Sequence, residues 1–171
     1  MAVLRLRRRT KIVVGALAAI ACLACLAGLL VCAYARYVDV VRFTAPDGRI
    51  TVDAAPEGTL GTVLVTNKGF ALYMFEPDAG HRVTCTGGCA TAWPPLLVNA
   101  GETVVAGPGV QPSLLGTLPN PGGGRVVTYH GWPLYTYLGD AGPGGAAGQG
   151  ADDKGGYWYV IRPSGQILVK R

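Results

Sequence analysis

One segment occurs twice in this sequence, and that duplication limits the possible folds more than any other feature. Residues 63–78 read Val-Leu-Val-Thr-Asn-Lys-Gly-Phe-Ala-Leu-Tyr-Met-Phe-Glu-Pro-Asp, and residues 125–140 read Arg-Val-Val-Thr-Tyr-His-Gly-Trp-Pro-Leu-Tyr-Thr-Tyr-Leu-Gly-Asp. At a constant offset of 62 they agree at Val65/Val127, Thr66/Thr128, Gly69/Gly131, Leu72/Leu134, Tyr73/Tyr135 and Asp78/Asp140, with Phe75/Tyr137 a conservative aromatic pair. A gapless register of this length means two copies of one supersecondary unit.

Each copy reads as a β-hairpin. Val63-Leu64-Val65 and Val126-Val127-Thr128-Tyr129 are short β-branched runs, while Asn67-Lys68-Gly69 and His130-Gly131 carry turn chemistry, with glycine free to take positive φ. Phe70–Phe75 and Trp132–Leu138 are the returning strands. In the first, Phe70, Leu72 and Met74 alternate with Ala71, Tyr73 and Phe75, so both faces are apolar and both should be covered. Glu76-Pro77-Asp78 and Gly139-Asp140 stop the strands. A loop and a Trp-bearing run follow each copy: Ala79–Ala92 then Trp93–Val98, and the glycine-rich 141–156 then Tyr157–Ile161. The second loop is too poor in apolar residues to pack and is expected to be mobile. Thr103–Val105 and Ser113–Leu118 are weaker strand candidates, Arg49–Val52 answers Val41–Thr44 across a turn, and a hairpin closes the chain. Nothing beyond the amino-terminal segment has a 3.6-residue period, so the body is expected to be all-β.

Charge divides the chain. Residues 1–36 hold six cations and no acid, whereas residues 37–171 hold nine cations against ten acids. A body without a basic cluster is no nucleic-acid surface. From Ile12 to Ala35 no residue is charged; as a helix those 24 residues span about 36 Å, enough for a hydrocarbon core of about 30 Å. Five cations precede Ile12, which holds the amino terminus in the cytoplasm and puts residue 37 onward outside. The expectation is an uncleaved signal anchor in the plasma membrane. The alternative is a form cleaved and lipidated at the imperfect lipobox-like sites ending in Cys22 and Cys25. The resulting division is 1–36 as basic segment and membrane or signal helix, 37–58 as juxtamembrane strand and linker, and 59–171 as a two-repeat β domain, with repeats at about 60–98 and 123–163.

Tyr73-Met74-Phe75-Glu76-Pro77-Asp78 and Tyr135-Thr136-Tyr137-Leu138-Gly139-Asp140 both fit Tyr-x-[Phe/Trp/Tyr]-x-x-Asp. With Cys85-x-x-x-Cys89 ahead of Trp93-Pro94-Pro95 and the glycine-rich loop ahead of Tyr157-Trp158-Tyr159, the chain resembles the bacterial secreted-repeat family of predicted lipoproteins over about residues 59–163. The resemblance implies a bacterial cell-envelope protein and no established activity. The imperfect lipobox and the long apolar run depart from the lipoprotein pattern.

Chemistry-bearing residues are few. In an oxidising compartment Cys85 and Cys89 favour a disulfide; a redox-active pair is the sharper alternative, although no neighbouring cation or helix start marks a low thiol pKa. Asp78 and Asp140 read as strand-ending Asx turns. Gathering them with Glu76, Asp152 and Asp153 into a cation site finds no calcium-loop spacing. Tyr73, Phe75, Tyr135, Tyr137, Trp93, Trp132 and Trp158 are either core between the repeats or the lining of a groove for a glycan or planar ligand. His81 and His130 lie in turns and, with Met74, make a poor haem or copper set. Ser113 and Ser164 are the only serines, and no nucleophile motif contains them. The functional expectation is therefore a membrane-anchored, non-catalytic envelope module that binds or supports an envelope protein or glycan, with no cofactor or metal of its own. The alternative is an accessory redox protein using Cys85/Cys89 or a bound haem or copper.

Overall fold

The computed structural model describes residues 28–32 and 49–169. The chain divides into two compact units, residues 1–38 and 39–171. Of the first, only 28–32 are described; they are helical and exposed. The expected membrane segment Ile12–Ala35 and the lipidation candidates Cys22 and Cys25 thus lie largely or wholly outside the described residues, as does the expected strand Val41–Thr44. Among the described residues no helix is long and apolar enough to cross a membrane.

The second unit is mostly strand, with a few short helical turns. Its strands are β1 (Arg49–Pro56), β2 (Thr62–Thr66), β3 (Tyr73–Phe75), β4 (Leu97–Val98), β5 (Thr103–Ala106), β6 (Leu115–Pro119), β7 (Arg125–Tyr129), β8 (Trp132–Pro133), β9 (Ala151–Asp153) and β10 (Gly156–Val160). They form sheets ordered β2-β1-β5, β3-β10-β9 and β4-β7-β6, with β8 also on β7. Arg49–Val52, expected as a strand, and Asp53–Pro56, expected as linker, form one continuous strand. β1 pairs antiparallel with β2 and parallel with β5, so residues 49–56 belong to the domain, with Pro56 tolerated at the strand's last position.

The two hairpins turn differently. In the first, Gly69 N–H donates to Thr66 O and Thr66 N–H to Phe70 O, both at 2.8 Å, with Gly69 at φ 78°. That is a three-residue loop with glycine in the left-handed position. In the second, Tyr129 faces Trp132 directly, and His130 and Gly131 both have positive φ, 51° and 83°, the pattern of a two-residue primed turn. One extra loop residue shifts the pairing, so Leu72 faces Leu64 while Leu134 faces Val127. The gapless sequence register therefore conceals a one-residue slip in the first strand of each copy.

Neither hairpin is completed by its own repeat. β3, from the first copy, pairs with β10 from the second, placing Trp158 opposite Phe75 and Val160 opposite Tyr73. Reciprocally, the first copy's Trp-bearing run lies along the second copy's returning strand: Thr136 N–H donates to Pro94 O at 2.9 Å and Leu138 N–H to Ala92 O at 3.0 Å. The outer strands close the same way, with Leu64 N–H on Ile161 O and Val127 N–H on Leu96 O, each at 2.8 Å. At the centre Tyr73 and Tyr135 exchange backbone N–H···O bonds of 2.9 Å. The copies are interlocked about a pseudo-twofold axis between these tyrosines.

Alternation on the strands sorts side chains into two cores. Leu64, Leu72, Met74, Val127, Leu134, Tyr159 and Ile161 pack in one; Val63, Val65, Ala71, Tyr73, Phe75, Trp93, Tyr135, Trp158 and Val160 pack in the other. The two-sided burial expected of Phe70–Phe75 is present. The loop expected to be mobile is instead tied into the fold: it ends in β9, and Gly150 N–H donates to Trp158 O at 2.8 Å. A short helix, Gly88–Ala92, which no periodicity announces, carries Cys89 in its first turn, where the sequence shows no helix start beside the cysteine pair.

Because each repeat supplies the strand that completes the other, residues 49–110 and 111–169 produced as separate fragments are expected to be unfolded. Mixing them should restore dispersed amide signals in 1H–15N NMR spectra, and fragments that fold singly would contradict the interlock.

Candidate functional site

The motif residues meet at the axis between the repeats. Tyr135 donates its hydroxyl hydrogen to Asp78 Oδ2 at 2.6 Å, and Tyr73 donates to Asp140, with Oδ2 at 3.0 Å and Oδ1 at 3.1 Å. The tyrosine of each motif thus binds the aspartate of the other, and all four residues are fully buried. The loops after the motifs serve both ends of each pair. Thr84 N–H and hydroxyl donate to Asp78 Oδ1, and Cys85 N–H donates to the Tyr135 oxygen. In the second copy Ala147 N–H donates to Asp140 Oδ1 at 2.9 Å, and Gly148 N–H to the Tyr73 oxygen at 3.3 Å. The aspartates do accept loop N–H groups, as an Asx reading expects. Their main partner, however, is a tyrosine 57 or 67 residues away, which no local pattern reveals.

Beside these pairs four rings stack in the order Phe75, Trp158, Trp93, Tyr137. Centroid spacings are 4.1, 4.0 and 4.0 Å, and the two indoles lie within 4° of parallel. Tyr73 meets Trp93 and Tyr135 meets Trp158 edge-on, at 5.4 and 5.2 Å, the geometry favoured by ring quadrupoles. Asp153 holds both indole N–H groups, Trp93 through Oδ2 at 2.9 Å and Trp158 through its backbone O at 3.0 Å. Gly148 sits so close that a Cβ there would stand 2.6 Å from the Trp93 ring. Of the motif aromatics only Tyr137 is partly exposed. The rings are consumed as core, and Trp132 is half-buried against the other core.

Cys85 and Cys89 form a disulfide, with Cys85 buried beside Trp93. A ring this small contributes roughly 2 kcal/mol by loop entropy, and it fixes the loop that delivers the Thr84 and Cys85 N–H groups. Glu76 and Asp152 are exposed, and among the described residues no three His, Cys, Asp or Glu side chains cluster as metal ligands. His81 Nδ1 lies 2.9 Å from Gly131 O, and His130 Nδ1 lies 3.4 Å from Gly165 O. Both histidines hold turns.

Electrostatics follow burial. Removal from water raises the pKa of Asp140 to about 6, against the bonds from Tyr73 and Ala147, and nearby Glu57 raises it further. Burial and the facing carboxylates push both tyrosine hydroxyls upward. The Trp93 indole N–H holds Asp153 below its ordinary value. Glu57, which the sequence did not mark, is 3% exposed, and its Oε2 has no hydrogen-bond partner. Two surface clefts lie apart from the stack. One of about 540 Å³ separates β5 from β6, and one of about 290 Å³ lies between the Gly58–Leu60 turn and residues 144–149.

A family model described as a secreted repeat of unknown function matches residues 54–97 and 116–162. Each match runs from the outer strand through the motif to the Trp-bearing run. No curated protein and no solved structure matches the chain.

Replacing Tyr135 or Tyr73 by Phe strands a buried carboxylate oxygen and a loop N–H, so each change should lower unfolding free energy by about 1–3 kcal/mol in urea titrations. Asp140 binds its proton more tightly in the folded chain than in the unfolded one, so its share of stability is greatest at acid pH. That share falls as pH rises from about 4 through about 6. Relative to Asp140→Asn, the wild-type melting temperature should drop between pH 5 and pH 7. A parallel pair of pH profiles would show that Asp140 does not titrate in this window.

Proposed function

The chain belongs to the family of secreted repeats of unknown function, and from that premise we propose a non-catalytic, extracytoplasmic envelope module held at the plasma membrane by its amino-terminal apolar segment. The carrying observation is the fate of the motif. Its two tyrosines, two aspartates and the associated tryptophans are spent on one another in a buried network. A motif so used specifies a rigid scaffold and leaves recognition to the loops and sheet edges around it. An envelope protein or a glycan is the class of partner such a surface would meet.

The uncharged run 12–35 behind five cations supports the tether, since its length suits a bilayer and its flanking charge sets the orientation. In the native host the protein should stay with the membrane fraction after alkaline carbonate washing, and a variant with Leu29, Leu30 and Val31 changed to Asp should not. Recovery of the unaltered protein in the wash would end the tether reading. Envelope extract passed over the immobilised full chain should retain a defined partner. Protein purified from the host should show a bare visible spectrum and no stoichiometric copper or iron. A bound chromophore or metal would move the assignment to an electron-transfer accessory.

A further inference from the structure

Glu57 is the one described buried side chain with an oxygen left unpartnered. Oε2 is closed to solvent and accepts no hydrogen bond, although a buried carboxylate oxygen left unpaired is destabilising. The other end of the carboxylate accepts the Gly144 N–H. Burial makes Glu57 and Asp140 both reluctant to ionise, and the charge of Glu57 raises Asp140 further. The cleft of about 290 Å³ beside Glu57 is also lined by Gly58, Thr59, Leu60, Gly144 and Ala146. No cation lines it. Gln149 faces the same space, but its amide is committed, Nε2 to Leu168 O at 2.6 Å and Oε1 to Val160 N–H at 2.9 Å.

We propose that this cleft binds a small primary ammonium compound, with the –NH3+ group on Glu57 Oε2 and a short alkyl stem between Leu60 and Ala146. This specifies the binding half of the envelope-module reading and rests on it for location only. The chemistry of the lining selects the class. A buried carboxylate calls for a charged donor, and an ammonium supplies three N–H groups in one compact head. A divalent metal would want several oxygen ligands, and among the described residues no third acidic, His or Cys side chain joins Glu57 and Asp140. Leu60 and Ala146 in the lining suit methylene groups. The volume lies at the lower limit for ligand pockets, so the compound is a few heavy atoms in size. Because Oε2 is closed to solvent in the free protein, binding requires a local rearrangement around Glu57, whose carboxylate accepts the Gly144 N–H.

The test is calorimetric titration of the full chain with propylammonium chloride, with 1-propanol and calcium chloride as comparison titrants. Saturable binding of propylammonium alone is expected, weakened at least about tenfold by Glu57→Gln, which removes the charge and keeps the shape. Ala146→Leu fills the cleft while leaving Glu57 intact and should also abolish binding, which keeps the result interpretable if Glu57→Gln folds poorly. Absence of binding to the wild type, equal binding by Glu57→Gln and wild type, equal uptake of 1-propanol, or Glu57-dependent binding of calcium in place of the amine each overturns the site. Retention of an envelope partner alongside a silent titration leaves the module standing and removes only this cleft.

Discussion

Two carboxylates sit at zero exposure in the middle of this domain, and the arrangement of the rest follows from how they are satisfied. A carboxylate moved out of water loses several kcal/mol unless donors replace its hydration. Asp78 and Asp140 find those donors in a tyrosine hydroxyl from the opposite repeat and N–H groups from the loop of their own. Neither set is complete in a single copy. Hydrophobic burial would accept many ways of packing two apolar hairpins, because it has no direction. The Tyr–Asp pairs have direction and reach, so they select the interlocked arrangement from the alternatives. The backbone exchange between Tyr73 and Tyr135 then fixes the register to the residue.

Pseudo-symmetry makes the differences between the copies informative. Both loops must present two successive N–H groups, one to an aspartate and the next to a tyrosine oxygen. The first loop holds its pair with the Cys85–Cys89 bridge and the short helix that carries Cys89. The second has no bridge, and at the position matching Cys85 it carries Gly148, where any side chain would collide with Trp93. Beside its own β9 and the Gly150–Trp158 bond, it gains a restraint from outside the repeat, from Glu57 just past β1 accepting the Gly144 N–H. A covalent clamp in one copy and a buried carboxylate in the other do the same mechanical work. Only the second leaves an unsatisfied oxygen behind.

The sequence made the duplication, the hairpins, the Trp-bearing strands and the two-sided burial of Phe70–Phe75 legible, because each shows in local alternation and turn chemistry. It hid the exchange of Trp-bearing strands, because Trp93 and Trp158 look the same whether they complete their own repeat or the other. It showed the first half of β1 as a strand but hid the second half and its partners: Pro56 and the glycines after it resemble a linker until Thr62–Thr66 is seen lying alongside. Glu57 gave no signal, since a lone acid before a glycine reads as a solvated turn. Asp153 was visible as a charge but not as the holder of two indoles. In each case the missing information was a contact between distant parts of the chain.

That distinction bears on where function resides in a protein of this kind. Six aromatic rings and two acids in a recurring motif invite a binding-site reading, and their side chains in isolation would suit one. Here all the rings but the partly exposed Tyr137 are buried and the acids are covered by phenols, so most of the motif is spent on holding the repeats together. A residue whose chemistry is fully satisfied inside the fold has little left to offer a ligand. The candidates for recognition are therefore groups whose chemistry is left open. Among these are the backbone edges of β5 and β6 facing their cleft and the Glu57 oxygen beneath the glycine-rich loop.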